Sequence, residues 1–216
     1  MSFAVMLEQL SNGMVKSLGI FILTLVFSLP LGLIVSFGRM SKCRILRGFI
    51  KVYISIMRGT PLMLQLMVWY FGPYYLFGMR IGGSYRFTAI ILGFALNYAA
   101  YFAEIYRSGI ESMPVGQYEA AKVLGYSKVQ CFARIIFPQV VKRILPSITN
   151  EVITLVKDTS LSFSLAYAEM FTIAKQIAAA ETTFMPFVVA GVFYFIFNLV
   201  VATVMEFIEK KLSYYQ

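Results

Sequence analysis

The sequence predicts an all-α integral membrane protein with five transmembrane helices, and three observations lead there. Of its 216 residues 59% are hydrophobic and only 13% charged, a balance with mean hydropathy +0.76 that a water-soluble domain of this size does not sustain. Charge-free runs reach 22 residues at 17–38 and 24 residues at 182–205. Either run can cross about 30 Å of hydrocarbon at about 1.5 Å per residue. The 19 basic residues, against 10 acidic, are bunched in a few stretches between the apolar runs. A net charge of +9 distributed in that way indicates a membrane address and not a nucleic-acid partner.

Residues 2–12 alternate Phe3, Val5, Met6, Leu7 and Leu10 with Glu8, Gln9 and Ser11, as in a short amphipathic helix lying along the membrane surface. The first span is expected at 15–37, bent at Pro30 and Gly32. Its apolar run is too long for a signal-peptide core and has no small-residue cleavage site after it, so it is expected to be retained. Arg39, Lys42, Arg44, Arg47 and Lys51 follow as a dense basic loop. The positive-inside rule makes that loop cytoplasmic and the amino terminus external.

The second span, 52–77, is interrupted by Arg58, Gly59, Thr60 and Pro61. Pro61 cannot donate to the carbonyl of Met57, so a kink or break is expected. Arg58 either serves the site or snorkels to the inner headgroups. Trp69, Tyr70, Tyr74 and Tyr75 form an aromatic belt at the outer interface, and residues 79–86, with Gly82 and Gly83, form a short external turn.

In the third span, 87–107, Asn97, Tyr101 and Glu104 are four and three residues apart and so share a helical face. Glu104 is matched locally by Arg107. Asn97 and Tyr101 either line a pathway or hydrogen-bond between helices.

Residues 116–138 are polar and basic, and they have the pattern of two short helices hinged at Gly125. Glu119 lies in the first turn, with Ala120, Ala121 and Leu124 on one side. A bare connection needs only a few residues, so this compact elbow is expected to dock on something. The plainer alternative is an interfacial helix on lipid headgroups.

The fourth span, 144–165, has Pro146 in its first turns. Ser147, Glu151, Thr154 and Asp158 follow at steps of four, three and four, a continuous polar face. Lys157 adjoins Asp158 but points about 100° away from it. These side chains contact a solute, or the acids are matched by Arg58 or Lys157. Residues 162–183, with Glu169, Lys175 and Glu181, suit a cap or gate at the outer mouth. The fifth span, 183–206, leads to Glu206, Glu209, Lys210 and Lys211 inside.

On this topology thirteen basic residues lie inside, and three, Arg80, Arg86 and Lys175, lie outside. Cys43 and Cys131 both fall on the cytoplasmic side, where thiols stay reduced. Two thiols and no histidine argue against a metal site. No stretch matches G-x-x-x-x-G-K-[ST], so no nucleotide site or catalytic residue is assigned and no cofactor is expected in the chain itself.

The spacing Glu119-Ala120-Ala121, Gly125, Ile135, Phe137-Pro138 resembles the cytoplasmic coupling motif of permease subunits of ATP-binding-cassette importers, with Phe137 where leucine is usual. Arg58 to Pro61 resembles the RGTP stretch of the polar amino acid branch. The resemblance implies the type I importer permease fold, a coupling helix between spans three and four, and a bacterial inner membrane location. It implies that a partner ATPase dimer, which binds ATP and Mg, grips the elbow at Glu119, Ala120, Ala121 and Gly125. An extracytoplasmic solute-binding protein, a second permease copy and an amino acid solute complete the expected partners. Ser147, Glu151, Thr154, Asp158, Asn97 and Tyr101 are the candidate solute residues. Glu151 and Asp158 favour arginine, lysine or histidine, with glutamine or another polar amino acid as the alternative. An ion-coupled secondary transporter using the same acidic face, or a purely structural subunit, are the competing classes.

Overall fold

A computed structural model describes residues 1–212, which fold as nine α-helices joined by short connections. The first, α1 (Phe3–Arg39), starts at a Ser2 cap and is continuous for 37 residues. The expected surface helix at 2–12 is therefore no separate element. Its apolar positions serve protein and not headgroups: Met6 and Leu10 pack with Met170, Ala174, Ile177 and Ala190. A Cβ on Gly13 would come within 2.7 Å of the Met170 Cα, so these two backbones meet only because Gly13 has no side chain. Pro30 lies inside α1 without breaking it.

After the basic loop, α2 (Arg44–Gly59) and α3 (Leu62–Phe77) are separated by Thr60 and Pro61 in extended conformation. Of the kink or break expected here, the structure has the break. Proline's Cδ pushes the preceding residue out of the helical region, and Thr60 sits at φ −123° and ψ 147°. The central helix is α4 (Gly83–Glu111), where Ile90, Phe94 and Phe102 are wholly buried and Tyr98 nearly so.

The elbow follows as α5 (Val115–Val123) and α6 (Lys128–Cys131), and a wide π-turn (Phe132–Ile136) leads into α7 (Phe137–Asp158). The expected fourth span is not one uniform helix. α7 ends at Asp158 and tightens into a 3₁₀ segment, Thr159–Leu165, that closes on Ala166 in the left-handed region. Then come α8 (Met170–Glu181) and α9 (Met185–Leu212), the latter buried only at Pro186 and Ala190. By length and composition α1, α4 and α9 are each apolar and long enough to cross a membrane.

The core joins Ile20, Leu66, Phe94, Ile148 and Leu155. Where α1 meets α4, a seam of small side chains lets the backbones approach: Thr24, Ser28 and Ser36 are fully buried. A Cβ on Gly32 would sit 2.8 Å from the Phe102 Cβ and 3.1 Å from the Ala99 carbonyl oxygen. Gly32→Val is therefore expected to wedge α1 from α4 and cost about 1–3 kcal/mol or more as overpacking. A thermal melt of the purified protein in detergent checks this, and an unchanged midpoint would show that the seam is loose.

Candidate functional site

The broken helix is repaired by amides. Pro61 leaves the Met57 carbonyl without its helical donor, and that oxygen instead receives Gln65 Nε2 at 2.9 Å and Asn97 Nδ2 at 3.0 Å. Gln65 also donates to the carbonyl and hydroxyl oxygens of Thr60, at 3.1 and 2.9 Å, and accepts from Asn97 at 3.0 Å. Asn97 is only 4% exposed, and its amide hydrogens are committed to this junction. Of the two readings of Asn97, this placement is the interhelical one. Gln65 was not singled out from the sequence, although a lone amide four residues after a proline in an apolar helix was a usable signal.

Beside the junction lies a cavity of about 400 Å³ walled by Arg58, Tyr101, Glu104, Arg107, Ser147 and Glu151. The Arg58 guanidinium sits 5.2 Å from the centre of the Tyr101 ring, within cation–π range. Glu104 is paired as expected: Arg107 donates to it at 2.6 Å, and Arg39 lies 3.7 Å away. Glu151, half-buried, has no ion pair or side-chain hydrogen bond among the described residues. Arg58 stands on the same wall and its charge acts on Glu151 without an ion-pair contact, and a carboxylate with no such contact at the wall of a polar cavity can hold a cation or an amide donor at little reorganisation cost.

The rest of the α7 polar face does not share this cavity. Thr154 faces outward, its hydroxyl returned to the Asn150 carbonyl at 2.9 Å. Asp158, two turns beyond Glu151, accepts a 2.7 Å hydrogen bond from Tyr98. Of the six candidate solute residues, the fold thus gathers Tyr101, Ser147 and Glu151 and sets Asn97, Thr154 and Asp158 apart.

At the opposite end of α7 the elbow has well-defined punctuation. Gly125 adopts φ +79°. The Tyr126 N–H reaches back to the Ala121 carbonyl at 3.0 Å, and the Gly125 N–H to Lys122 at 3.1 Å. That pair of bonds is the Schellman ending of a helix. Ser127 then opens α6 with a capping box to Gln130. Glu119, Ala120 and Gly125 face outward, whereas Ala121 is 1% exposed and packs inward with the core. Val123, Leu124 and Val129 are 87%, 73% and 77% exposed and form an apolar tip; Leu124, expected on the same side as Ala121, faces outward instead, and Val123 and Val129 were not singled out from the sequence. Two polar ties join the elbow region to the helices of the cavity. Gln117 and Gln139 exchange amide hydrogen bonds at 2.9 and 3.0 Å, and Arg143 donates to the Ser112 carbonyl at 2.7 Å.

Comparison with known proteins gives this architecture a family. A sequence model for the "Binding-protein-dependent transport system inner membrane component" matches residues 28–214. A Rickettsia bellii permease provisionally named for glutamine transport is 37% identical over 193 residues, covering 88% of this chain and 87% of that one. The arginine transport system permease protein of Bacillus subtilis is 34% identical over 203 residues, covering 94% and 91%. Among solved structures, that of an amino acid ABC transporter with histidines superposes with a TM-score of 0.85 at 30% identity, covering 98% of this chain and 99% of the other. Matched over nearly its whole length in sequence and in fold, the chain belongs to the inner membrane components of binding-protein-dependent transport systems.

Proposed function

We propose that this chain is the permease subunit of an ATP-driven amino acid importer, and that it favours basic amino acids. It works as one of a pair of permeases that line the path between them. Each chain crosses the bacterial inner membrane five times, with the amino terminus outside and the carboxyl terminus inside. A solute-binding protein delivers from outside, and two ATPase subunits, carrying ATP and Mg, close against the elbows at Glu119, Ala120 and Gly125. Ala121 supports that surface from behind.

The observation that carries the solute reading is Glu151, a carboxylate without a salt-bridge partner on the wall of the cavity. It complements the positive side chain of arginine, lysine or histidine. Glutamine is the second reading, favoured by the cations Arg58 and Arg107 on the same wall and by the hydroxyl groups of Tyr101 and Ser147.

Reconstitution with the ATPase and binding protein separates the two. Glu151→Gln is expected to lower arginine uptake about 10- to 100-fold, the worth of one charge-assisted hydrogen bond at about 1.5–3 kcal/mol, and to leave glutamine uptake within about threefold. An equal effect on both solutes would remove charge recognition and favour the amide. Uptake driven by an ion gradient without ATP would instead indicate a secondary transporter.

A further inference from the structure

We propose that α2 is a binding helix for anionic phospholipid, holding headgroup phosphates on a basic stripe and acyl chains on an adjoining bare apolar face. Arg44, Arg47 and Lys51 follow at steps of three and four and therefore share one face of the helix. Lys42 precedes them by a few residues, and all four face outward. No Asp or Glu occurs in the sequence between Glu8 and Glu104. Among the described residues none of the four enters an ion pair; Glu104 itself is taken by Arg107 and Arg39.

A second face of α2, with Ile50, Tyr53, Ile54 and Met57, packs against Val35, Ala100 and Ala103. The third face is apolar and uncovered: Ile45, Phe49, Val52 and Ile56 are 84%, 72%, 58% and 51% exposed. Depth comes from α1. A Cβ on Gly38, the last residue of the charge-free run, would lie 3.2 Å from Ile50. The basic stripe is therefore level with the inner edge of the hydrocarbon, where long cationic side chains reach phosphates while their stems and neighbours stay in acyl chains.

Charge and apolar surface side by side at that depth match a lipid, which offers both. Inorganic phosphate would satisfy only the cations, and a soluble protein surface would leave the outward apolar face bare. The far end of the same helix carries Arg58 beside Tyr101 at the cavity, so a lipid that fixes α2 also fixes one wall of the cavity. None of this depends on which solute is carried.

Native mass spectrometry of the purified transporter with equal amounts of phosphatidylglycerol and phosphatidylcholine tests the proposal. The wild type is expected to retain phosphatidylglycerol preferentially. R44Q/R47Q/K51Q is expected to lose that preference by tenfold or more, and R47Q alone by a smaller factor, while R80Q on the outer side keeps it. Size-exclusion profiles confirm that each variant is folded, and R47Q keeps the comparison available if the triple variant is not. Equal retention of the two lipids by the wild type, or an undiminished preference in both stripe variants, would overturn the proposal. So would a triple variant that sheds the ATPase while keeping its lipid preference, or a wild type that binds inorganic phosphate without discriminating the lipids.

Discussion

Gly125→Val is expected to lower binding-protein-dependent uptake at least tenfold in membranes that still hold a normal amount of the chain. Gly125 sits at φ +79°, and a Cβ there meets nothing within 4 Å. The chain itself therefore offers no clash, and the penalty is conformational. The left-handed region costs an L-residue about 1–2 kcal/mol, and a β-branched one more. Gly125 and Tyr126 close the Schellman ending of α5 through Lys122 and Ala121, so a displaced φ unlatches that ending and swings Ser127, the cap of α6, away. Asparagine tolerates this region better than alanine, and alanine better than valine. Uptake and ATPase co-purification should then fall in the order Gly, Asn, Ala, Val. If the partner's groove needs the empty space instead, Asn and Ala should fail as completely as Val. Wild-type transport by the valine variant would remove the docking role from this turn.

The elbow was legible because glycine at a helix end is a local signal, carried by a single residue; the Ser127 cap of α6 is equally local but was not read from the sequence. The break at Thr60 and Pro61 was legible for the same reason, since proline alone removes the donor that Met57 needs. What closes that break was not legible. Gln65 and Asn97 meet at Met57 because α3 and α4 pack at one particular register, and neither helix's periodicity encodes that register. The amino-terminal segment shows a related limit. Met6, Leu10 and Gly13 form a stripe that reads equally well against headgroups or against another helix, because lipid and protein interiors are similarly apolar. Only the burial against Met170 decides between them. On α7 the polar spacing is regular through Ser147, Glu151, Thr154 and Asp158, yet the surroundings change along the helix. Arg58 and Tyr101 share a cavity with the first two, and Tyr98 takes the last.

Glu169→Leu is expected to be the most destabilising single change where α1, α8 and α9 meet. Residues 162–183 read as a cap or gate at the mouth, but Glu169 is fully buried. It caps α8 by accepting the Phe171 and Thr172 N–H groups at 2.8 and 2.7 Å. It also accepts the Thr172 hydroxyl at 2.9 Å, Tyr194 on α9 at 3.2 Å and Ser17 on α1 at 3.3 Å. One carboxylate thus ties three helices together using donors alone. Leucine would strand two buried backbone donors, at about 1–3 kcal/mol each. At about 2–4 °C per kcal/mol for a chain of this size, the melting midpoint should drop by roughly 10 °C. Glutamine should fall between: its oxygen can keep the Thr172 bonds, the Ser17 and Tyr194 hydroxyls can turn to accept from its amide, and only the Phe171 N–H is left unmatched. If glutamine proves as damaging as leucine, the negative charge is what matters and the hydrogen-bond count is not. If the leucine variant melts with the wild type, the three-helix tie contributes nothing and this end of the molecule is held by apolar packing among α1, α8 and α9 alone.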